Sequence, residues 1–214
     1  MDLEGLKNLK FEINKCNACK LDGHVRGVSS SPDGRIDLVC VGDAPKSADF
    51  ERELPFQDPA GKILRRLLEE LGIHNYALFN VLKCRPPGDR APYAEEIKSC
   101  LPFLKKQIEL SEPKLVLALG DTAHHALKTL GIDHKKVYHP GYLLKKKSYS
   151  VDRYRGDLVT ALTMLFEQDP STRPPQVPQI PQLHCHSDFQ WETPSGAQKR
   201  WQRWLQTWAS PIWL

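Results

Sequence analysis

The stretch Ile36-Asp37-Leu38-Val39-Cys40-Val41, closed by Gly42-Asp43-Ala44-Pro45, decides the fold. Its apolar residues run on consecutively instead of alternating. That pattern predicts a strand buried on both faces, as in parallel sheets covered by helices on either side. Gly42 and Pro45 end the strand and leave a carboxylate, Asp43, just beyond its C-terminal end. Two later runs read the same way: residues 76–82 (YALFNVL) and residues 115–119 (LVLAL), the second followed by Gly120-Asp121-Thr122. A short fourth strand is expected at Val137-Tyr138, running into His139-Pro140.

Helical periods fill the intervals. Residues 60–71 (AGKILRRLLEEL) place Ile63, Leu64, Leu67, Leu68 and Leu71 on one stripe, stopped by Gly72. Residues 93–110 read as a helix in which Pro102 marks a boundary or a kink. Further helices are expected over residues 123–130 and 157–168. Upstream, residues 6–13 read as a short surface helix entering Cys16 and Cys19, and Ser29-Ser30-Ser31-Pro32-Asp33-Gly34 as a loop with turn chemistry. Strand and helix in alternation predict a three-layer α/β/α domain around a central, mostly parallel four-stranded sheet. In such sheets the ligand crevice lies beyond the C-terminal strand ends. Gly42-Asp43, Asn80, Gly120-Asp121 and His139 all fall there.

The chain has 214 residues, which at roughly 150 residues per domain admits one domain and an extension. Thirty Lys and Arg against 26 Asp and Glu give a net charge of only +4, so the balance alone names no partner. Six cysteines are too few for a disulfide scaffold. No N-terminal apolar signal and no run near the ~18 residues of a membrane span is present, so a soluble, monomeric cytoplasmic protein without membrane association is expected. After Gln168 the composition changes. Residues 169–197 read as a Pro-rich linker, and residues 198–214 (QKRWQRWLQTWASPIWL) carry Trp201, Trp204 and Trp208 at helical spacing. All five tryptophans lie from Trp191 onward, so the extension is read as a short helix that docks on the domain or on a partner protein, or as a poorly ordered addition, outside a chemical domain of residues 1–168.

Cys16-x-x-Cys19 is a tight chelating pair, and Cys84 and Cys100 lie on either side of Arg85-Pro86-Pro87-Gly88. Four thiolates suit either zinc or an iron–sulfur cluster, and spacing does not choose between them; a pair of Cys16 and Cys19 alone is the simpler alternative. Cys40 reads as a buried hydrophobe and Cys185 as a thiol of the tail. Between His125 and Arg155 eight Lys or Arg face only Asp133 and Asp152. That cluster directly surrounds His139-Pro140 and suits a phosphate backbone.

Order and spacing together resemble the iron–sulfur, family 4 type of uracil-DNA glycosylase. That family's Gly-Glu-Ala-Pro-Gly motif stands here as Gly42-Asp43-Ala44-Pro45-Lys46, and its Pro-Phe…Ala-Gly element as Pro55-Phe56…Ala60-Gly61. Its Asn-Val-x-Lys-Cys-Arg-Pro-Pro stretch is Asn80-Val81-Leu82-Lys83-Cys84-Arg85-Pro86-Pro87. Its His-Pro motif is His139-Pro140-Gly141-Tyr142-Leu143-Leu144-Lys145. The similarity runs over residues 6–166.

The resemblance implies a [4Fe–4S] cluster on Cys16, Cys19, Cys84 and Cys100. It implies a substrate of uracil-containing DNA, single-stranded or with a U·G mispair. Asp43 and His139 would be the catalytic groups, with Phe56 stacking on uracil, Asn80 reading its edge, and the amides around Gly42 and Ala44 assisting the leaving group. Tyr142, Leu143 and Leu144 would fill the gap left by the flipped base or form a buried turn, and Lys145, Lys146 and Lys147 would meet DNA. Three positions depart from the pattern: Asp43 is a methylene shorter than Glu, Lys46 replaces glycine, and Lys145 replaces arginine. These changes keep open a member that binds uracil-containing or single-stranded DNA, or a partner protein, without efficient catalysis. A zinc site in an unrelated nucleic-acid-binding module is the other alternative.

Overall fold

The computed structural model describes residues 1–21, 34–52, 54–146 and 148–168. Strands β1 (Leu38–Gly42), β2 (Tyr76–Asn80), β3 (Leu115–Leu119) and β4 (Lys135–Val137) form one sheet in the order β2-β1-β3-β4, with every pairing parallel. The helices are α1 (Leu3–Asn14), α2 (Ser47–Arg52), α3 (Pro59–Glu70), α4 (Ala94–Ser111), α5 (Asp121–Thr129), α6 (Gly141–Lys145) and α7 (Val151–Gln168).

The alternation of side chains along β1 builds the layers. Leu38 and Cys40 enter a core with Leu64, Leu67 and Leu68 of α3 and Tyr154, Leu158 and Leu162 of α7. Val39 and Val41 enter a second core with Leu104 and Ile108 of α4 and Ala123, Ala126 and Leu127 of α5. Every residue of β1 and β3 is buried, which accounts for their uninterrupted apolar sequences. The α/β/α architecture expected from the sequence is thus present, and its sheet is wholly parallel.

Local signals set the helix ends. Asp58 caps α3 by accepting from the Gly61 amide at 2.8 Å, with Pro59 preorganised in the first turn. At the start of α4, Glu96 accepts from the Tyr93 amide at 2.8 Å and takes both terminal nitrogens of Arg90. Pro102 does not divide α4, which runs unbroken for 18 residues. Only one amide donor is lost there, and Cys100, Leu104 and Ile108 hold the helix on either side. Helix α1 lies against α4, tied by Lys106 to Glu12 at 3.1 Å and by the Asp2 amide to the Leu110 carbonyl at 2.8 Å. Helices α2 and α6 were not expected from periodicity, which two short turns cannot display. Cys185, Lys147, the Pro-rich segment and the Trp-rich end lie outside the described residues.

Candidate active site

The crevice is assembled from chain segments that leave the sheet at its C-terminal edge. Gly42 and Asn80 are partners in the β1–β2 register, so the two sequence motifs that end these strands are neighbours in space. A Cβ placed on Gly42 would lie 2.5 Å from Phe56 Cζ and 2.7 Å from Asn80 Oδ1. Glycine at position 42 is therefore what lets the phenyl ring and the amide approach one strand end together. Asn80 itself is buried, with its amide next to the ring.

Phe56 occupies this position through an unusual backbone. Its φ is 59°, a left-handed conformation that a bulky residue adopts at a cost of about 1–3 kcal/mol. Three contacts hold the turn. The Gln57 amide donates to Asp49 Oδ1 at 2.5 Å, Arg65 donates to the Pro55 carbonyl at 2.9 Å, and the Gln57 side chain donates to the same carbonyl at 3.1 Å. Gly61 completes the seat, since a Cβ there would fall 2.0 Å from the Phe56 carbonyl oxygen.

Asp49, on α2, also accepts from the Lys46 amide at 3.0 Å and is 2% exposed. Burial pushes its carboxyl up, against the pull of these backbone donors. Nothing in the local sequence marks Asp49, because its role depends on a contact with the amide of Gln57 across a turn. The only available signal was the Ser47-Ala48-Asp49 helix start after Pro45.

Asp43 and His139 face each other across the crevice, with Nε2 of His139 3.9 Å from Oδ1 of Asp43. The Ala44 amide donates to the same Asp43 oxygen at 2.8 Å, and Lys46 Nζ lies 3.9 Å from Oδ2. The Ala44 amide therefore orients the carboxylate. The Gly141 amide donates to His139 Nδ1 at 3.1 Å. An accepting Nδ1 places the imidazole hydrogen on Nε2, directed toward the crevice. Burial lowers the His139 pKa below its ordinary value, outweighing the opposing attraction of Asp43 and Asp58, so the ring is a neutral donor at pH 7. The Phe56 and His139 rings lie within 23° of parallel with centroids 6.2 Å apart.

The four cysteines singled out by the sequence line one cavity, with Ile13, Leu21, Lys83 and Phe103 among its other walls. The Ala18 amide donates to Cys16 Sγ at 3.5 Å. Among the described residues, no group of three or more His, Cys, Asp or Glu is gathered as a single-ion site. Cys84 and Cys100 share a small core with Leu82 and Ala44, which joins this cavity to the end of β1. Buried Lys83 links it to β2, because its Nζ donates to the Asn80 carbonyl. Burial lowers the Lys83 pKa to about 7, with Cys100 and Cys84 opposing. Cys40 is fully buried in the sheet and its thiol is pushed up by burial, in keeping with a packing role.

Of the residues after His139, Tyr142 and Leu143 pack against the main core, whereas Leu144 is 55% exposed. The Tyr-Leu-Leu segment is thus divided between a packed turn and one projecting apolar side chain. Lys145 and Lys146 are exposed beside it. No helix among the described residues is long and apolar enough to cross a membrane.

A family profile described as the uracil DNA glycosylase superfamily matches residues 29–163. A type-4 uracil-DNA glycosylase of Pyrobaculum aerophilum is 36% identical over 133 residues, covering 61% of this chain and 66% of that protein. A type-4 uracil-DNA glycosylase of Thermotoga maritima is 34% identical over 166 residues, covering 66% of this chain and 84% of that protein. One from Sulfurisphaera tokodaii is 34% identical over 122 residues, with 55% of this chain and 56% of that protein covered. The chain thus spans less than two thirds of the Pyrobaculum and Sulfurisphaera proteins and most of the Thermotoga one.

Proposed function

The chain belongs to the uracil DNA glycosylase superfamily, and from that premise we propose that it flips deoxyuridine out of DNA and hydrolyses its N-glycosidic bond, releasing uracil as the first step of base excision repair. The observation that carries the reading is the meeting of Asp43, Phe56, Asn80 and His139 beyond the ends of the strands.

A base inside a duplex is out of reach, so the nucleotide enters the crevice at a cost of a few kcal/mol, least for a U·G mispair or a single strand. Phe56 stacks on uracil. The Asn80 amide donates to O4 and accepts from N3–H, and the same orientation sets its donor against the amino group of cytosine. A bidentate contact of this kind discriminates by roughly 1–3 kcal/mol. As the C1′–N1 bond breaks, its electron pair moves onto uracil, and His139 donates from Nε2 to the charge gathering on O2. Asp43 stabilises the positive sugar and orients the water, whose oxygen bonds to C1′ and whose proton passes to the carboxylate. Ala44 and Lys46 fix and partly neutralise that carboxylate. Leu144 is the residue best placed to fill the vacated stack, and Lys145, Lys146 and Lys147 neutralise phosphates.

Cys16, Cys19, Cys84 and Cys100 would hold a [4Fe–4S] cluster. Four thiols around one cavity, with the Ala18 amide donating to Cys16, suit a multi-iron group that occupies a volume. A single ion would draw its ligands to a point, an arrangement not formed among the described residues. When bound, the cluster supplies a structural staple joining the end of α1, the segment after β2 and α4. Residues 1–168 would form the catalytic unit, with residues 169–197 a linker and residues 198–214 a segment for a protein partner.

Uracil release from single-stranded and U·G duplex oligonucleotides tests the reading, using protein whose iron and acid-labile sulfide have been assayed. Free uracil and an abasic strand are expected. No turnover by iron-loaded protein would favour a DNA-binding member without catalysis, and bound zinc in place of iron would overturn the cluster.

A further inference from the structure

We propose that Tyr138 is a stacking platform for the nucleobase next to the extruded uridine, giving the protein added affinity for an unpaired strand. The inference rests on the glycosylase reading, which supplies the strand. Tyr138 directly follows β4 and precedes His139, so whatever covers it lies beside the crevice. Its ring is 54% exposed yet firmly backed. It stacks on Tyr142 with centroids 5.0 Å apart and planes 14° apart, and it meets Tyr149 edge-on at 5.2 Å. Tyr149 in turn meets the fully buried Tyr154 at 6.2 Å. Two rings thus tie an exposed aromatic to the core, and a side chain ordered in advance loses little freedom when a ligand stacks on it.

Tyr138 lines an open groove with Lys135, Lys136, Val137, Thr160 and Ala161. Two carboxylates also line it, and both are engaged: Lys136 donates to Asp121 at 2.5 Å, and Asp157 accepts from the Tyr149 hydroxyl. Lys135 and Lys136 together balance Asp121 and Asp157, so the groove carries no net charge and suits a neutral base better than a phosphate. Cations for the backbone stand at its margins, with Lys145 and Lys146 exposed at the end of α6. An aromatic face flanked by lysines is the usual receptor for unpaired nucleic acid, since every base has a face to offer. In a duplex, the neighbour's faces are occupied by its own stack and by the side chain that fills the gap, so the platform favours a single strand.

The test is a binding cycle with cleavage-resistant 2′-fluorinated deoxyuridine in single-stranded and duplex oligonucleotides. Tyr138→Ala is expected to raise the single-strand Kd roughly 5- to 150-fold, the range one base–aromatic stack supplies. Tyr138→Phe should stay within about twofold of the parent. Replacing the 5′ or the 3′ neighbour by an abasic spacer should weaken the parent by the same factor on one side and leave Tyr138→Ala unaffected. Duplex affinity should change by less than about twofold. Unchanged single-strand binding by Tyr138→Ala, or spacer and mutation effects that simply add, would overturn the proposal. Uracil release by the parent is measured separately: release with unchanged Tyr138→Ala binding rejects the platform alone, whereas no release rejects the glycosylase reading while the binding cycle still decides the platform.

Discussion

Replacing Gly42 by alanine reaches both base-contacting groups with a single methyl. The new Cβ would lie 2.5 Å from Phe56 Cζ and 2.7 Å from Asn80 Oδ1. Carbon atoms in contact settle at about 3.5–4.0 Å, so the phenyl ring must retreat by roughly 1 Å or more. The turn behind it cannot give freely, because the Asp49 carboxylate, Arg65 and the close approach of Gly61 fix it. Misplacement on that scale costs about 100-fold in rate, or about 2.7 kcal/mol of transition-state stabilisation. Overpacking itself costs about 1–3 kcal/mol of stability, which leaves a folded protein to assay. Single-turnover uracil release from a single-stranded oligonucleotide gives the rate, and thermal unfolding gives the stability. A rate within about threefold of the parent, in a folded variant, would refute the assignment of Phe56 and Asn80 to the reacting base.

Asn80→Asp should lose most activity on uracil and gain release of cytosine, since the carboxylate accepts where the amide donated; a base-release assay on paired uracil and cytosine substrates reads both. The pH–rate profile should show an acid limb below the ordinary histidine value near 6.5, because burial lowers the His139 pKa and its neutral form is the active one. Rate should therefore fall as pH drops through that lowered pKa and stay level above it, and His139→Ala should remove the limb. Asp49→Ala should destabilise the fold by roughly 1–3 kcal/mol for each of the Lys46 and Gln57 amides it orphans, read as a lower Tm together with slower uracil release.

The sheet was legible because burial on both faces removes the alternation that would otherwise hide a strand's role. Leu38, Val39, Cys40 and Val41 each have a core to enter, and the sequence shows it. Asp43, Asn80 and His139 were legible for a related reason: residues just past parallel strands share one edge of the sheet. Phe56 was placed at the site only by its motif, since its left-handed backbone and its proximity to Gly42 are properties of the folded turn. Asp49 and Lys83 escaped notice because each works through a backbone atom of another segment, the Gln57 amide and the Asn80 carbonyl. Of the two readings of Pro102, a boundary is excluded by the continuous α4, because packing on both of its sides outweighs a single missing donor.

The identity of the base released by the crevice follows directly from the Asn80 and Phe56 contacts proposed for it. A panel of oligonucleotides carrying uracil, cytosine, hypoxanthine or xanthine at one position, incubated with iron-loaded protein and analysed for free base, measures this. Uracil release with cytosine left in place is expected. Release of cytosine alongside uracil, or no free base from any member of the panel, would contradict it.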